Sequence, residues 1–82
     1  MTNFKCQIYS LDREIFAGSA TALTVPSATG QLQILAGHAS LIALLKEGDI
    51  AIEKEDASRE TLPIAGGVLE VNQKEVVVLV NF

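Results

Sequence analysis

Leu41-Ile42-Ala43-Leu44-Leu45-Lys46-Glu47-Gly48-Asp49-Ile50-Ala51-Ile52-Glu53 is the stretch on which the reading of the fold turns. Five apolar residues end at a polar turn with glycine, and apolar residues then return at every second position. A run of five is too short to stand as a helix, and the alternation Ile50, Ile52 is that of a strand with one buried face. The stretch reads as two strands joined by a tight turn. Toward the C-terminus, Glu53 to Ser58 is a charged hairpin tip, Arg59 to Ile64 is another strand, and Gly66-Gly67 precedes the short apolar run Val68 to Val71. Asn72-Gln73-Lys74 makes a turn before Val76 to Val80. Toward the N-terminus, Leu32 and Ile34 alternate with Gln31 and Gln33 until Ala36-Gly37-His38-Ala39 breaks the run. Ala22 to Val25 ends at Pro26, with Ser27-Ala28-Thr29-Gly30 as a loop. Ile15-Phe16 is stopped by Gly18, and Phe4, Cys6 and Ile8 alternate with Lys5, Gln7 and Tyr9. Many short strands set off by glycine, proline and polar turns predict one all-β domain, a sandwich or a barrel, over residues 1–82. The expected strand number is about 8–10, with no helix beyond two turns.

Composition narrows the function classes. With 82 residues, 49% hydrophobic and 20% charged, the chain has room for one modest core. Six basic against ten acidic residues give a net charge of −4 and no basic run, which argues against phosphate-backbone binding. The longest apolar runs fall far short of the ~20 residues that cross a bilayer as a helix, so direct membrane insertion is not expected. Residues Met1 to Lys5 carry no basic-then-apolar signal pattern. Cys6 is the single cysteine. It has no partner for a disulfide and no neighbouring base to activate it, so it reads as a small buried hydrophobe.

Catalytic readings find little to stand on. One histidine, His38, excludes a multi-histidine metal site within the chain. A hydrolase triad would need His38 with Ser40 or Ser10 and an oriented carboxylate, but a Gly-His-Ala loop fits a turn or interface role better. Glu53, Glu55 and Asp56 sit on a charged tip and read as solvated. Gly66-Gly67 lacks the helix and lysine of a phosphate loop, and close backbone crowding or a bulge is expected there. Catalytic residues, cofactor and metal are each expected to be absent.

Two runs ask for something more. Leu41 to Leu45 and Val76 to Val80 are apolar at every position, where a strand with a wet face would alternate. Either loops of this chain cover the second face, or a partner, a tail or a second protomer does.

The stretch Gly30-Gln31-Leu32-Gln33-Ile34-Leu35-Ala36-Gly37-His38-Ala39-Ser40-Leu41 resembles a signature of F-type ATP synthase epsilon subunits, G-E-L-G-I/V-x-P-G-H-A-P-L. Leu45-Lys46-Glu47-Gly48 is similar to that family's L/I-K-P-G turn. Ala65-Gly66-Gly67-Val68-Leu69-Glu70-Val71 is similar to its S-G-G-F/I-x-E-V strand, Ile15-Phe16-Ala17-Gly18 to its x-F-x-G, and Val76 to Val80 to its V-x-V-L-A ending. The resemblance implies a flattened two-sheet antiparallel β-sandwich. It also implies a non-catalytic rotor subunit that binds the gamma subunit through Ser10, His38 and Ala43, and the membrane rotor ring of c subunits through Gly30 and Gln31. The implied location is peripheral, on the cytoplasmic face of a bacterial inner membrane. Gln31 stands where the family commonly has an acid, Gln33 where it has glycine, and Ala36 and Ser40 where it has prolines. The helical hairpin that follows this domain in typical bacterial members is not within residues 1–82, so ATP binding and inhibition of hydrolysis by such a hairpin are not expected of it. The alternative is an epsilon-like β-sandwich module that binds proteins outside the synthase.

Overall fold

The computed structural model describes residues 3–37 and 39–82. Among them run nine strands: β1 (Phe4–Tyr9), β2 (Glu14–Ala20), β3 (Ala22–Ser27), β4 (Gly30–Leu35), β5 (Leu41–Leu45), β6 (Gly48–Glu53), β7 (Arg59–Ile64), β8 (Gly66–Val71) and β9 (Glu75–Asn81). The described residues contain no helix.

Hydrogen bonding is continuous in the order β2-β1-β9-β8-β5-β3-β6-β7, with β4 paired to the free side of β3. The molecule is thus one curled sheet rather than two separate flat sheets. The curl has a hinge: a five-stranded arm ending at β5 joins a four-stranded arm beginning at β3 through the single pair Ser27↔Leu45. Nor is pairing wholly antiparallel, because the first and last strands, β1 and β9, run parallel in register Lys5↔Glu75 to Tyr9↔Leu79.

Core side chains come from the concave face of both arms. Cys6, Ile8, Leu69, Val71, Val76, Val78 and Val80 from the first meet Leu23, Val25, Ile34, Ile50, Ile52 and Ile64 from the second. The alternation of Ile50 and Ile52 therefore does what its period demands. Elsewhere the sequence departs from strict alternation, and the backbone accommodates it. Between β1 and β2 the register shifts after Ile8↔Phe16 to Tyr9↔Glu14, leaving Ile15 as an extra residue. This bulge lets the consecutive Ile15 and Phe16 both pack against the core.

Proline marks the hinge. β3 pairs with β6 at Ala22 to Thr24 and then with β5 at Ser27. Pro26 lies at the changeover, where a missing N–H leaves no donor stranded, and its carbonyl accepts from the Lys46 N–H at 2.8 Å. On the other side of the curl, the Lys54 ammonium lies 5.5 Å from the Phe16 ring centroid while pairing with Glu60 at 2.6 Å. Asn3 also hydrogen-bonds Glu55, so the β6–β7 turn reaches back to β1 and β2.

At Gly66-Gly67 the structure excludes the bulge and shows the backbone crowding that was the other expectation. Register runs unbroken through Gly66↔Asn81 and Gly67↔Val80 on one side and Leu45↔Gly67 on the other. Glycine is required because a Cβ at Gly67 would collide with the Leu79 carbonyl.

Cys6 is fully buried, and desolvation of its charged form pushes the thiol from 9.0 up to about 12. Folded protein should therefore resist thiol reagents at about pH 8 and react only on unfolding. The raised value also fixes a pH dependence. Cys6 leaves stability untouched below the unfolded value near 9.0, and stability falls as pH rises toward about 12, because only the unfolded thiol ionises there. A colorimetric thiol titration of the native protein at neutral to mildly basic pH, showing prompt modification, would contradict this placement.

Candidate interaction surface

The convex face of the five-stranded arm carries the feature that the apolar runs foretold. Leu45 is buried on the concave side, so alternation sends Leu44 and Ile42 outward, 66% and 73% exposed. The registers extend each of these positions across the arm. Leu44 lies beside Val68, Val68 beside Leu79, and Leu79 beside Tyr9. Val68 and Leu79 remain 39% and 44% exposed, and Tyr9 half-buried. The next row runs Ile42, Glu70, Val77, Gln7. Four large apolar side chains on adjoining strands form a contiguous patch rather than scattered exposure.

The β3–β4 hairpin tip adjoins one corner of this face. The Ala28 N–H donates to the Leu44 carbonyl at 2.9 Å. Within the tip, the buried Ser27 hydroxyl donates to the Gly30 carbonyl at 2.5 Å. Gly30 has φ 133°, a conformation other residues resist, and it closes the two-residue turn so that Gln31 stands exposed beyond it. Gly30 and Gln31 are thus held at the tip by bonds that also tie it to β5.

The three residues assigned to stalk contact are not gathered at one point. Ser10 lies just past Tyr9, at the same end of the arm as Leu44, its hydroxyl bonded to Asp12 at 2.8 Å and its N–H to the Arg13 carbonyl at 2.9 Å. Ala43 lies on β5 between Ile42 and Leu44, half-buried and packed against the core. A charge at Ala43 would be driven against that core, so Ala43→Asp reports on folding more than on the face. His38 lies outside the described residues. Its neighbours Gly37 and Ala39 line a cleft of about 700 Å³ at the opposite end of the arm, shared with Asn72, Lys74 and Glu75.

Residues Ile42, Leu44, Val68, Leu79 and Glu70 were not singled out from sequence as individual contacts. The uninterrupted apolar runs were the signal, but a run of five gives no parity, so it does not say which members face out. The charged tip behaves as a solvated turn: the Ser58 N–H and hydroxyl both donate to Asp56 Oδ1, at 2.9 and 2.5 Å, holding its carboxyl below the usual range. Among the described residues, no three potential ligands come together to hold a metal.

A curled all-β domain with a continuous apolar patch on one convex face belongs to the class of β-sandwich-type domains. Residues 3–82 match the family described as "ATP synthase, Delta/Epsilon chain, beta-sandwich domain", and the chain belongs to it. The ATP synthase epsilon chain of Sulfurimonas denitrificans is 45% identical over 81 residues, covering 99% of this chain and 62% of the relative. That of a Psychrobacter species is 41% identical over 81 residues, covering 99% and 59%. The chain therefore spans about three-fifths of the length of these curated relatives. Among solved structures, a chain of the Euglena gracilis mitochondrial ATP synthase, in an OSCP/F1/c-ring structure, superposes with TM-score 0.86 at 26% identity, covering 99% of this chain and 51% of that one. A chain of the Tetrahymena thermophila mitochondrial ATP synthase superposes with TM-score 0.79 at 15% identity, covering 99% and 65%, and shares the fold.

Proposed function

We propose that this chain is the β-sandwich unit of a non-catalytic central-stalk subunit of an F-type ATP synthase, coupling ion translocation to ATP synthesis or hydrolysis. The observation that carries the proposal is the exposed row Leu44, Val68, Leu79 with Ile42 beside it, on a domain of the delta/epsilon family. In this reading the convex face binds the gamma subunit and the adjoining Gly30–Gln31 tip meets the rotor ring of c subunits. Ser10 and the loop around His38 bracket the face from its two ends, and Ala43 supports β5 from below. A partner that touches both ends must run roughly 15–17 Å along the strands, the length of five residues at ~3.3 Å each. In this reading residues 1–82 form one β-sandwich unit that holds both contacts. The unit then sits at the membrane surface, on the cytoplasmic face of a bacterial inner membrane, held there by its partners. No helix among the described residues is long and apolar enough to cross a membrane.

Co-purification with the cognate gamma subunit tests the proposal. A stable complex burying on the order of 1,200–2,000 Å² in total is expected, and failure of the two proteins to associate would overturn it. The tip has its own test. Salt screens charged contacts and hardly affects neutral hydrogen bonds, so the neutral Gln31 should contribute a salt-independent part of ring binding. Gln31→Glu should make binding to a ring with basic loops salt-sensitive, and identical salt profiles would remove Gln31 from the contact.

A further inference from the structure

The apolar face has one charged residue within its two rows. Glu70 is exposed on β8, with Ile42 opposite on β5 and Val77 opposite on β9. Val68 precedes it on the same face of the same strand. The positions in these two rows, Tyr9, Leu79, Val68 and Leu44 with Gln7, Val77, Glu70 and Ile42, include no cation. Ion pairs among the described residues join Lys5 to Glu75, Lys54 to Glu60 and Arg59 to Glu53, and none includes Glu70. The adjacent cation, Lys5, sits one row away toward Glu75 at 3.9 Å.

In the free protein water solvates this carboxylate at little cost. A partner seated on Ile42, Leu44, Val68 and Leu79 takes that water away, because Glu70 is flanked by Ile42 and Val77 across the strands and by Val68 along its own, with polar Asn72 only on its far side. A carboxylate stripped of water without a compensating charge opposes binding strongly. From this we infer that the partner presents an arginine or lysine to Glu70, framed by apolar residues that meet the surrounding patch, and that Glu70 selects the partner by that match. The inference rests on the reading of this face as the gamma-subunit contact. A second copy of this chain fits poorly, since the chain carries a net charge of −4 and the same face would bring acid toward an apolar patch that offers no cation.

Binding of the cognate gamma subunit to wild type, Glu70→Gln, Glu70→Lys and Leu44→Asp, at low and high salt, decides the matter. Thermal unfolding confirms that each exposed substitution leaves the fold intact. With a cation opposite, Glu70→Gln should weaken binding about tenfold or more at low salt and flatten the salt dependence, since it leaves the partner's charge buried alone. Glu70→Lys should weaken it by about a hundredfold or more, from like-charge apposition. If Glu70→Gln binds equally well or more tightly while Leu44→Asp loses binding, the face is right and the facing cation is wrong. If Leu44→Asp also binds as wild type, the face itself is wrong and the inference falls with it.

Discussion

The double variant Ile42→Ser, Leu44→Asp should lose gamma-subunit binding by about a hundredfold or more while unfolding at nearly the wild-type temperature. The two effects separate because these side chains point away from the core. In the free domain Ile42 and Leu44 are 73% and 66% exposed, so their removal gives up little folding energy. In the complex each large aliphatic side chain is worth about 1.5–3 kcal/mol when fully buried, and an aspartate at position 44 adds an unpaired charge to a desolvated surface. A loss of about 2.7 kcal/mol is already a hundredfold in affinity. Serine rather than aspartate is chosen at position 42 because Ile42 is directly opposite Glu70, where a second acid would destabilise the strand pair itself by roughly 0.2–1 kcal/mol. Titration calorimetry against gamma and a thermal scan of the free variant make the comparison. Unchanged affinity would remove the convex face from the stalk contact, and a collapse of the melting temperature would mean that these residues serve the fold.

What the sequence made legible and what it hid follow from the range of the interactions concerned. β5 and β7 could be bounded at Leu41–Leu45 and Arg59–Ile64 because each is flanked by turn residues, and turn chemistry is local. β2 and β3 run beyond the breakers Gly18 and Pro26. Gly18 is an exposed position on the outermost strand, and Pro26 falls where β3 changes partner, so neither interrupts a needed bond. The parallel pairing of β1 with β9 joins the two ends of the chain, and no local pattern specifies it. The same limit applied to the candidate surface. That Leu41 to Leu45 carries an outward apolar face was readable from the missing alternation. That Ile42 and Leu44 are the outward members depends on Leu45 joining Ser27 at the hinge, a contact between distant strands. Glu70 was visibly alternate to Leu69 and Val71, but its place between Ile42 and Val77 exists only once three strands are in register. The resemblance supplied Ala43 by position, and the side chain at that position faces the core.

Gly67→Ala should damage the fold severely, whereas Gly18→Ala should be nearly silent. Both glycines lie within strands, so propensity alone predicts a small gain in each case from a stiffer unfolded chain, about 0.4–1 kcal/mol. Their surroundings set them apart. A Cβ at Gly18 would lie 3.4 Å from the nearest atom of the Phe16 ring, an ordinary contact with a side chain that can shift. A Cβ at Gly67 would collide with the Leu79 carbonyl and lie 3.1 Å from the Val80 Cα, both of them backbone. Relief requires β8 and β9 to move apart at Gly67↔Val80, in the middle of the five-stranded arm, where β8 is also held by β5 through Leu45↔Gly67. Overpacking of this kind costs about 1–3 kcal/mol and more when the obstacle is rigid. A domain of this size is stable by only roughly 4–12 kcal/mol, and each kcal/mol moves its melting temperature by about 4–8 °C. A drop of at least 10 °C is therefore the expected result for Gly67→Ala, in proportion to those two figures, with Gly18→Ala within a few degrees of wild type. Equal melting temperatures for the two variants would show that the close approach of Gly67 to Leu79 is not a constraint on the folded chain.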